Sequence, residues 1–185
     1  MNYLYHYFCA LFKQKMNKQT IGRVDIVDFP ELGLYNIDAK IDTGAYTSAI
    51  HCSEIIEKDN MLFCTFFSKG HPNFNDKTIL FTNYSRTDVK SSNGFKENRY
   101  KIKSETVFFG KTYKINLTLS TRNDMKFPVL IGRQFLKAKF LVDVTKKNLS
   151  YCQSNPDKSL IKISTLYSEN DIQIPLELKK ITSLN

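Results

Sequence analysis

Apolar positions in this chain fall into short runs and alternations, and no stretch keeps a helical period for long. Residues 23–29 alternate imperfectly and predict a strand. Pro30-Glu31-Leu32-Gly33 supplies a turn, and residues 34–41 return as a strand with Ile37, Ala39 and Ile41 on one face. Residues 47–52 predict a short strand, 61–67 an apolar, aromatic one, 68–77 a polar loop containing Gly70 and Pro72, and 78–82 a further strand. Residues 83–99 are polar and contain Ser91-Ser92-Asn93-Gly94, whose Asn-Gly pair is the strongest two-residue hairpin signal. Residues 100–109 and 112–119 flank Gly110-Lys111, which suits a type II′ hairpin with Gly first. An apolar strand at 127–131 leads into a short helix at 133–137, and 140–144 with 149–152 close the pattern as a last hairpin. Beyond residue 153 the pattern weakens; 172–178 fits either an edge strand or a short amphipathic turn. Many short strands and one short helix make the chain mainly β.

Length and composition refine this. A chain of 185 residues accommodates one domain with tails and buries a core. We divide it into an N-terminal arm (1–20), a domain (21–152) and a C-terminal extension (153–185). Residues 1–12 are apolar and aromatic but lack a preceding basic residue, so they read poorly as a secretory signal. Met16, just ahead of the patterned region, is an alternative initiator, and otherwise the arm is expected to be disordered. Four cysteines (Cys9, Cys52, Cys64, Cys152) form no CxxC pair and no disulfide-like framework, which points to a reducing, cytoplasmic setting. No apolar run is long enough to span a bilayer, so no membrane partner is expected. The net charge of +9 favours acidic partners without choosing among peptides, nucleic acid and anionic surfaces. Its lysines are scattered, as on a solvated basic surface.

The candidate chemistry lies where the 34–41 strand ends, in Asp42-Thr43-Gly44-Ala45. Asp42 is the only one of these four that can transfer a proton. Thr43 is small and able to hydrogen-bond, and Gly44 permits close backbone approach or a positive φ. Taken alone, the triplet equally describes an Asx-type turn between strands. What lifts it above that is a distant second stretch, Phe127-Pro128-Val129-Leu130-Ile131-Gly132-Arg133-Gln134-Phe135-Leu136.

Together the two stretches resemble the retropepsin-like aspartic proteases. The resemblance is closer to a bacterial branch often labelled "ATP-dependent zinc protease", associated with an ATP-grasp glutamate ligase that modifies a ribosomal protein. It spans roughly residues 21–152 and is carried by Ile21-Gly22-Arg23, Pro30-Glu31-Leu32-Gly33, residues 40–51, Ser91-Ser92-Asn93-Gly94, residues 125–136 and Phe140-Leu141-Val142-Asp143. Tyr46 departs from it, standing where many members are expected to have a basic residue. The resemblance implies a closed β-barrel that works as a homodimer, with Asp42 as catalytic residue, Thr43 hydrogen-bonding across a twofold axis and Ala45 lining the cleft floor. It also implies that Gly132 and Arg133 brace the loop and that a hairpin flap covers the cleft. We assign the flap to 83–99 with Ser92, Asn93 and Gly94 at its turn, the 68–77 loop being the rival. Arg86, Lys90, Lys96 and Arg99 would then face an acidic substrate.

Water-activating peptidase chemistry without a covalent intermediate needs a base and an acid. Two carboxylates sharing one proton provide both, because like charges in contact do not both ionise. The chain has one Asp-Thr-Gly and no Asp-Ser-Gly, so the second carboxylate must come from an identical chain, and isologous twofold dimers are common. A bracing Arg133 would want a carboxylate, for which Asp38 and Asp143 are candidates. The zinc of the label has weak support: His51, Cys52, Cys64 and His71 match no common zinc spacing, and no metal or other cofactor is expected. No phosphate-cradling GxxxxGK[ST] and no G-x-S-x-G elbow occur. Two functional readings stand: a metal-independent homodimeric aspartic endopeptidase acting on acidic or glutamylated peptides, with a functional link to the glutamate ligase, or a non-catalytic dimeric module of the same fold binding an acidic partner or nucleic acid. The intact Asp-Thr-Gly favours the first.

Overall fold

The structure, a computed structural model, describes residues 18–90, 96–122 and 126–156. Its strands are β1 (Gln19–Ile21), β2 (Val24–Phe29), β3 (Leu34–Asp42), β4 (Ser48–Lys58), β5 (Met61–Phe66), β6 (Thr78–Phe81), β7 (Tyr84–Lys90), β8 (Lys96–Phe108), β9 (Lys111–Ser120), β10 (Val129–Gly132) and β11 (Phe140–Val142). Two short helices are described, α1 (Arg133–Leu136) and α2 (Leu149–Ser154), with a single 3-10 turn at Pro30–Leu32. No helix among the described residues is long and apolar enough to cross a membrane.

The larger sheet runs β10-β3-β2-β8-β9-β4-β5-β6, with β7 paired to β8. Val129 and Leu130 of β10 also pair with Ile50 and Ala49 of β4, so the path of pairings returns on itself. Alternation explains which side is buried: Ile37, Ala39 and Ile41 of β3, Ile102 and Phe108 of β8, Leu117 and Leu119 of β9, and Val129 and Ile131 of β10 share one continuous core. Within it lies an aromatic group in which Phe108, Phe135 and Phe140 have ring centroids 5.4–6.0 Å apart. Offset and tilted contacts of this kind add to the burial of ring area.

The end of the domain differs from the expected hairpin. Strand β11 pairs in parallel with β1, Gln19 against Phe140, so the folded region begins two residues ahead of the expected boundary. Residues 149–152 are helical rather than extended. The reason is Asp25, fully buried in β2, whose Oδ2 accepts the Ser150 N–H (3.0 Å) and whose Oδ1 accepts the Tyr151 N–H (3.1 Å). A carboxylate placed there satisfies helix N-terminal donors that Asn148, with no side-chain cap, leaves open. The β8–β9 connection also differs. Phe109 and Gly110 both have positive φ (52° and 69°) and Phe108 pairs with Lys111, the signature of a type I′ turn with Gly second.

Candidate active site

Strand β3 delivers Asp42 to the loop, and β10 lies parallel beside it with Gly132 opposite Asp42. The loop from Thr43 to Thr47 then folds over the start of α1. Arg133 N–H donates to the Ala45 carbonyl (2.8 Å) and Gln134 N–H to the Tyr46 carbonyl (2.9 Å), while Gly132 N–H donates to Ser48 Oγ (3.0 Å). This packing explains Gly132: a Cβ there would lie 2.5 Å from the Thr47 carbonyl carbon and oxygen. The two stretches singled out from the sequence are therefore one unit, fastened by backbone bonds.

Within the loop, Asp42 Oδ1 accepts the Gly44 N–H (3.1 Å) and the Ala45 N–H (3.3 Å). This is Asx-turn geometry: Oδ1 ties the loop, and Oδ2 faces Lys40 instead. Lys40 Nζ lies 3.5 Å from Oδ2 with about half its side chain exposed, so this pair is screened and weak. Gly44 serves by closeness rather than by a positive φ, since a Cβ would lie 3.3 Å from Asp42 Oδ1. Thr43, Gly44 and Tyr46 are exposed, Ala45 is half-buried, and Tyr46 is 62% exposed. An open cavity of about 700 Å³ borders the loop, lined by Thr43, Tyr46, Arg133, Gln134, Lys137 and Phe140 with their neighbours.

Register extends the site. Lys40 pairs with Leu130, Leu130 with Ala49, Ala49 with Thr118, and Thr118 with Lys101. Register partners share a sheet face, and Lys40 shares its face with Asp42 two residues on. The Asp42 face thus continues over Leu130, Ala49 and Thr118 and carries two lysines, Lys40 and Lys101.

Among the described residues, Arg133 does not form the expected ion pair. It is exposed, its guanidinium reaches the Thr43 carbonyl at 3.5 Å, and Asp143 instead pairs with Lys146 (3.3 Å) and Thr145. Its side-chain contact with the loop is to backbone rather than to a carboxylate.

Strands β7 and β8 form the expected hairpin, Lys90 opposite Lys96, but Ser92, Asn93 and Gly94 lie outside the described residues. Of its four basic residues, two are already engaged. Arg86 bonds Glu57 (2.7 Å), and the buried Arg99 bonds Glu97 (2.6 Å), which Arg122 also reaches (3.2 Å). Lys90 and Lys96 stay exposed with no carboxylate partner among the described residues.

The zinc candidates are not gathered as a donor set. His51 is buried with Nε2 2.9 Å from Ser68 Oγ, and burial holds its imidazole below the ordinary range; the backbone at Ser120 and Arg122 opposes this in part without completing a bond to Nδ1. His71 stacks on Phe67 at 4.5 Å and its Nδ1 accepts the Asn73 N–H. Cys52 and Cys64 are buried core residues; burial pushes the Cys64 thiol up to about 12 and the Cys52 thiol well up, Cys64 adding to the latter. Protonated, enclosed thiols are poor ligands. Sequence reasoning did not single out Lys40 or Ser48, although strand alternation places Lys40 beside Asp42; it also missed Glu57, which no local signal marks.

Three comparisons bear on this geometry. The family model described as RimB-like, retropepsin-like aspartic endopeptidase RimB, matches residues 20–153. A protein of Shewanella pealeana named probable alpha-L-glutamate ligase is 34% identical over 157 residues, covering 82% of this chain and 33% of that protein. One of Desulfotalea psychrophila with the same name is 31% identical over 170 residues, covering 83% and 36%. The chain therefore spans about a third of the length of the curated relatives it matches. A crystal structure of a Legionella pneumophila protein of unknown function has the same fold, with a TM-score of 0.57 and 23% identity over 71% of this chain and 98% of that one.

Proposed function

The chain belongs to the RimB-like family of retropepsin-like aspartic endopeptidases, and from that premise we propose that it is a homodimeric aspartic peptidase whose dyad is Asp42 and the partner's Asp42. The observation that carries this is the Asp42 loop: Oδ1 is held by two backbone N–H groups, the flanking Thr43, Gly44 and Tyr46 are exposed, and the chain supplies a single such carboxylate. In the dimer the two carboxyls share one proton. The ionised one takes a proton from water as the oxygen attacks the peptide carbonyl carbon; the protonated one gives its proton to the carbonyl oxygen. Collapse of the tetrahedral intermediate breaks the C–N bond, and the leaving nitrogen receives a proton from the dyad. Thr43 bonds across the axis, Ala45 lines the cleft floor, and the ring of pairings forms a closed barrel that holds them. The β7–β8 hairpin is the flap.

The substrate is an acidic, glutamate-rich peptide. Three observations support this: the Asp42 face carries Lys40 and Lys101, Lys90 and Lys96 have no carboxylate partner among the described residues, and relatives of this chain carry the name of a glutamate ligase. The functional link to such a ligase and the cytoplasmic setting belong to the same proposal. The test is cleavage of an oligoglutamate-bearing peptide by the wild type and by Asp42→Asn, with a metal chelator in parallel. Cleavage by the wild type with or without chelator, and none by the variant, is expected. Equal cleavage by both proteins would overturn the proposal, and a variant that binds the peptide while the wild type never cleaves it would favour the binding-module reading.

A further inference from the structure

Strand β8 is longer than its support. Its ladder with β9 covers Lys101 to Phe108 only, and from Lys96 to Tyr100 its described partner is β7 alone. An isolated two-stranded ribbon is marginal in water, so its direction depends on whatever else holds it. On one face that support comes from Glu57, near the end of β4. Its Oε1 accepts the Tyr84 hydroxyl (2.7 Å), and its Oε2 accepts Arg86 Nη2 (2.7 Å) and the Tyr100 hydroxyl (2.9 Å). The Arg86 guanidinium also bonds the Tyr100 hydroxyl and lies over the Tyr100 ring, 4.3 Å from its centroid. Tyr84 and Tyr100 are in edge contact at 6.0 Å. Arg86 and Tyr100 are register partners on β7 and β8, so one carboxylate grips both strands of the ribbon at one level.

On the opposite face, among the described residues, the ribbon is tied through Glu97, which Arg122 reaches from beyond β9 while Arg99 bonds it from within β8. The two ties differ in kind. The Glu97 tie runs to a chain segment, whereas Glu57 stands on β4, the strand that leaves the Asp42 loop at Ser48. A shift of the ribbon relative to β4 would break all three Glu57 bonds together.

We propose that Glu57 is a positioning residue: by gripping Tyr84, Arg86 and Tyr100 it fixes the angle of the β7–β8 ribbon relative to β4, and through β4 relative to the Asp42 loop. This rests on the peptidase reading only for its catalytic consequence; the mechanical part stands apart from it. The grip is made by an ionised carboxylate, and its three donors hold Glu57 down to about 2, with Arg86 charged and both tyrosines neutral at any pH where an aspartic dyad works. The carboxylate therefore stays ionised in the folded protein down to about 2, and the grip is lost as pH falls through that value.

The experiment compares the full chain with Glu57→Ala, Glu57→Gln and the double variant Tyr84→Phe/Tyr100→Phe, by amide hydrogen exchange on the free protein and by the steady-state cleavage of an oligoglutamate-bearing peptide. In Glu57→Ala, exchange within 84–90 and 96–100 should rise by about tenfold with β3 and β10 unchanged, since local opening is governed by local bonds. Glu57→Gln, which keeps acceptor oxygen but not charge, should fall between. KM should rise by about fivefold or more with kcat retained within about twofold, the mark of lost positioning rather than lost chemistry. Unchanged exchange in the ribbon, or acceleration spread through β3 and β10, would overturn the proposal. So would a loosened ribbon with unchanged kcat/KM, as far as catalysis is concerned. A wild type that cleaves nothing would remove the peptidase reading and leave the exchange result to decide the grip by itself.

Discussion

At the scale of single residues, the site is a matter of which atoms are left free. Asp42 Oδ1 is committed to its own loop and Oδ2 is not. Asn at this position keeps the shape and can still accept from Gly44 and Ala45, but cannot take a proton from water or share one. Asp42→Asn should therefore lose activity by at least about a thousandfold, the scale of losing a general base together with its acid partner, while its thermal midpoint stays close to wild type. A variant that retains activity, or that unfolds, would count against the role. Gly132 makes the opposite demand. Its position admits no Cβ without moving the backbone at Thr47, so Gly132→Ala should destabilise by about 1–3 kcal/mol, the range for overpacking, as read from a urea midpoint. Both residues are visible in the sequence because each sits inside a motif. Arg133 was visible too, but its partner was not: a guanidinium that reaches a carbonyl at Thr43 cannot be told from one that seeks a carboxylate until the fold is known.

At the scale of elements, sequence period succeeded wherever a strand has one buried and one wet face. Strands β2, β3 and β8 largely alternate because one side of each packs in the core, whereas the end of β9 is buried on both sides. It failed at residues 149–152, where a short apolar run fits either state and the deciding group, Asp25, lies 125 residues away. It also underestimated β4, which runs to Lys58 because β5 pairs along it, not because of anything local. The Glu57 grip was invisible for the same reason, its partners being 27 to 43 positions distant. Asp25 offers a test of the tertiary cap. Burial raises its carboxyl above the ordinary value, opposed by bonds from Ser150, Tyr151 and Ile26. The folded protein thus binds this proton more readily than the unfolded chain does. Its contribution to stability is greatest below the ordinary carboxyl range and declines as pH rises through the raised value. The stability of wild type relative to Asp25→Asn, measured by urea unfolding between pH 3 and 7, should fall as pH rises. A difference that grows with pH would show that the backbone bonds outweigh burial.

At the scale of the whole molecule, charge and symmetry set the predictions. A net charge of +9, with Lys40 and Lys101 on the Asp42 face, should draw acidic peptides. Raising salt should then lower kcat/KM for an acidic peptide and leave a neutral peptide of equal length nearly unaffected. Substituting Lys90 and Lys96 by Gln should shrink that difference, since like charges directly opposite on a ribbon are unfavourable until an anion lies between them. Identical rates at every salt concentration would sink the acidic preference and leave the dyad intact. Symmetry gives the sharper experiment. If each active site needs Asp42 from two chains, a wild-type chain paired with an Asp42→Asn chain is inactive. Mixed in equal amounts and allowed to exchange, each wild-type chain meets a wild-type partner only about half the time, as follows for an isologous dimer without preference. Activity per wild-type chain should therefore drop to about half, and further with more variant, whereas added bovine serum albumin at the same concentration should do nothing. If Asp42 served in each chain alone, activity per wild-type chain would not change with the variant present. The outcome distinguishes a shared dyad from a lone carboxylate without any structure of the dimer, and it needs only that the two chains exchange, which a tagged copy of the wild type can report in the same tube.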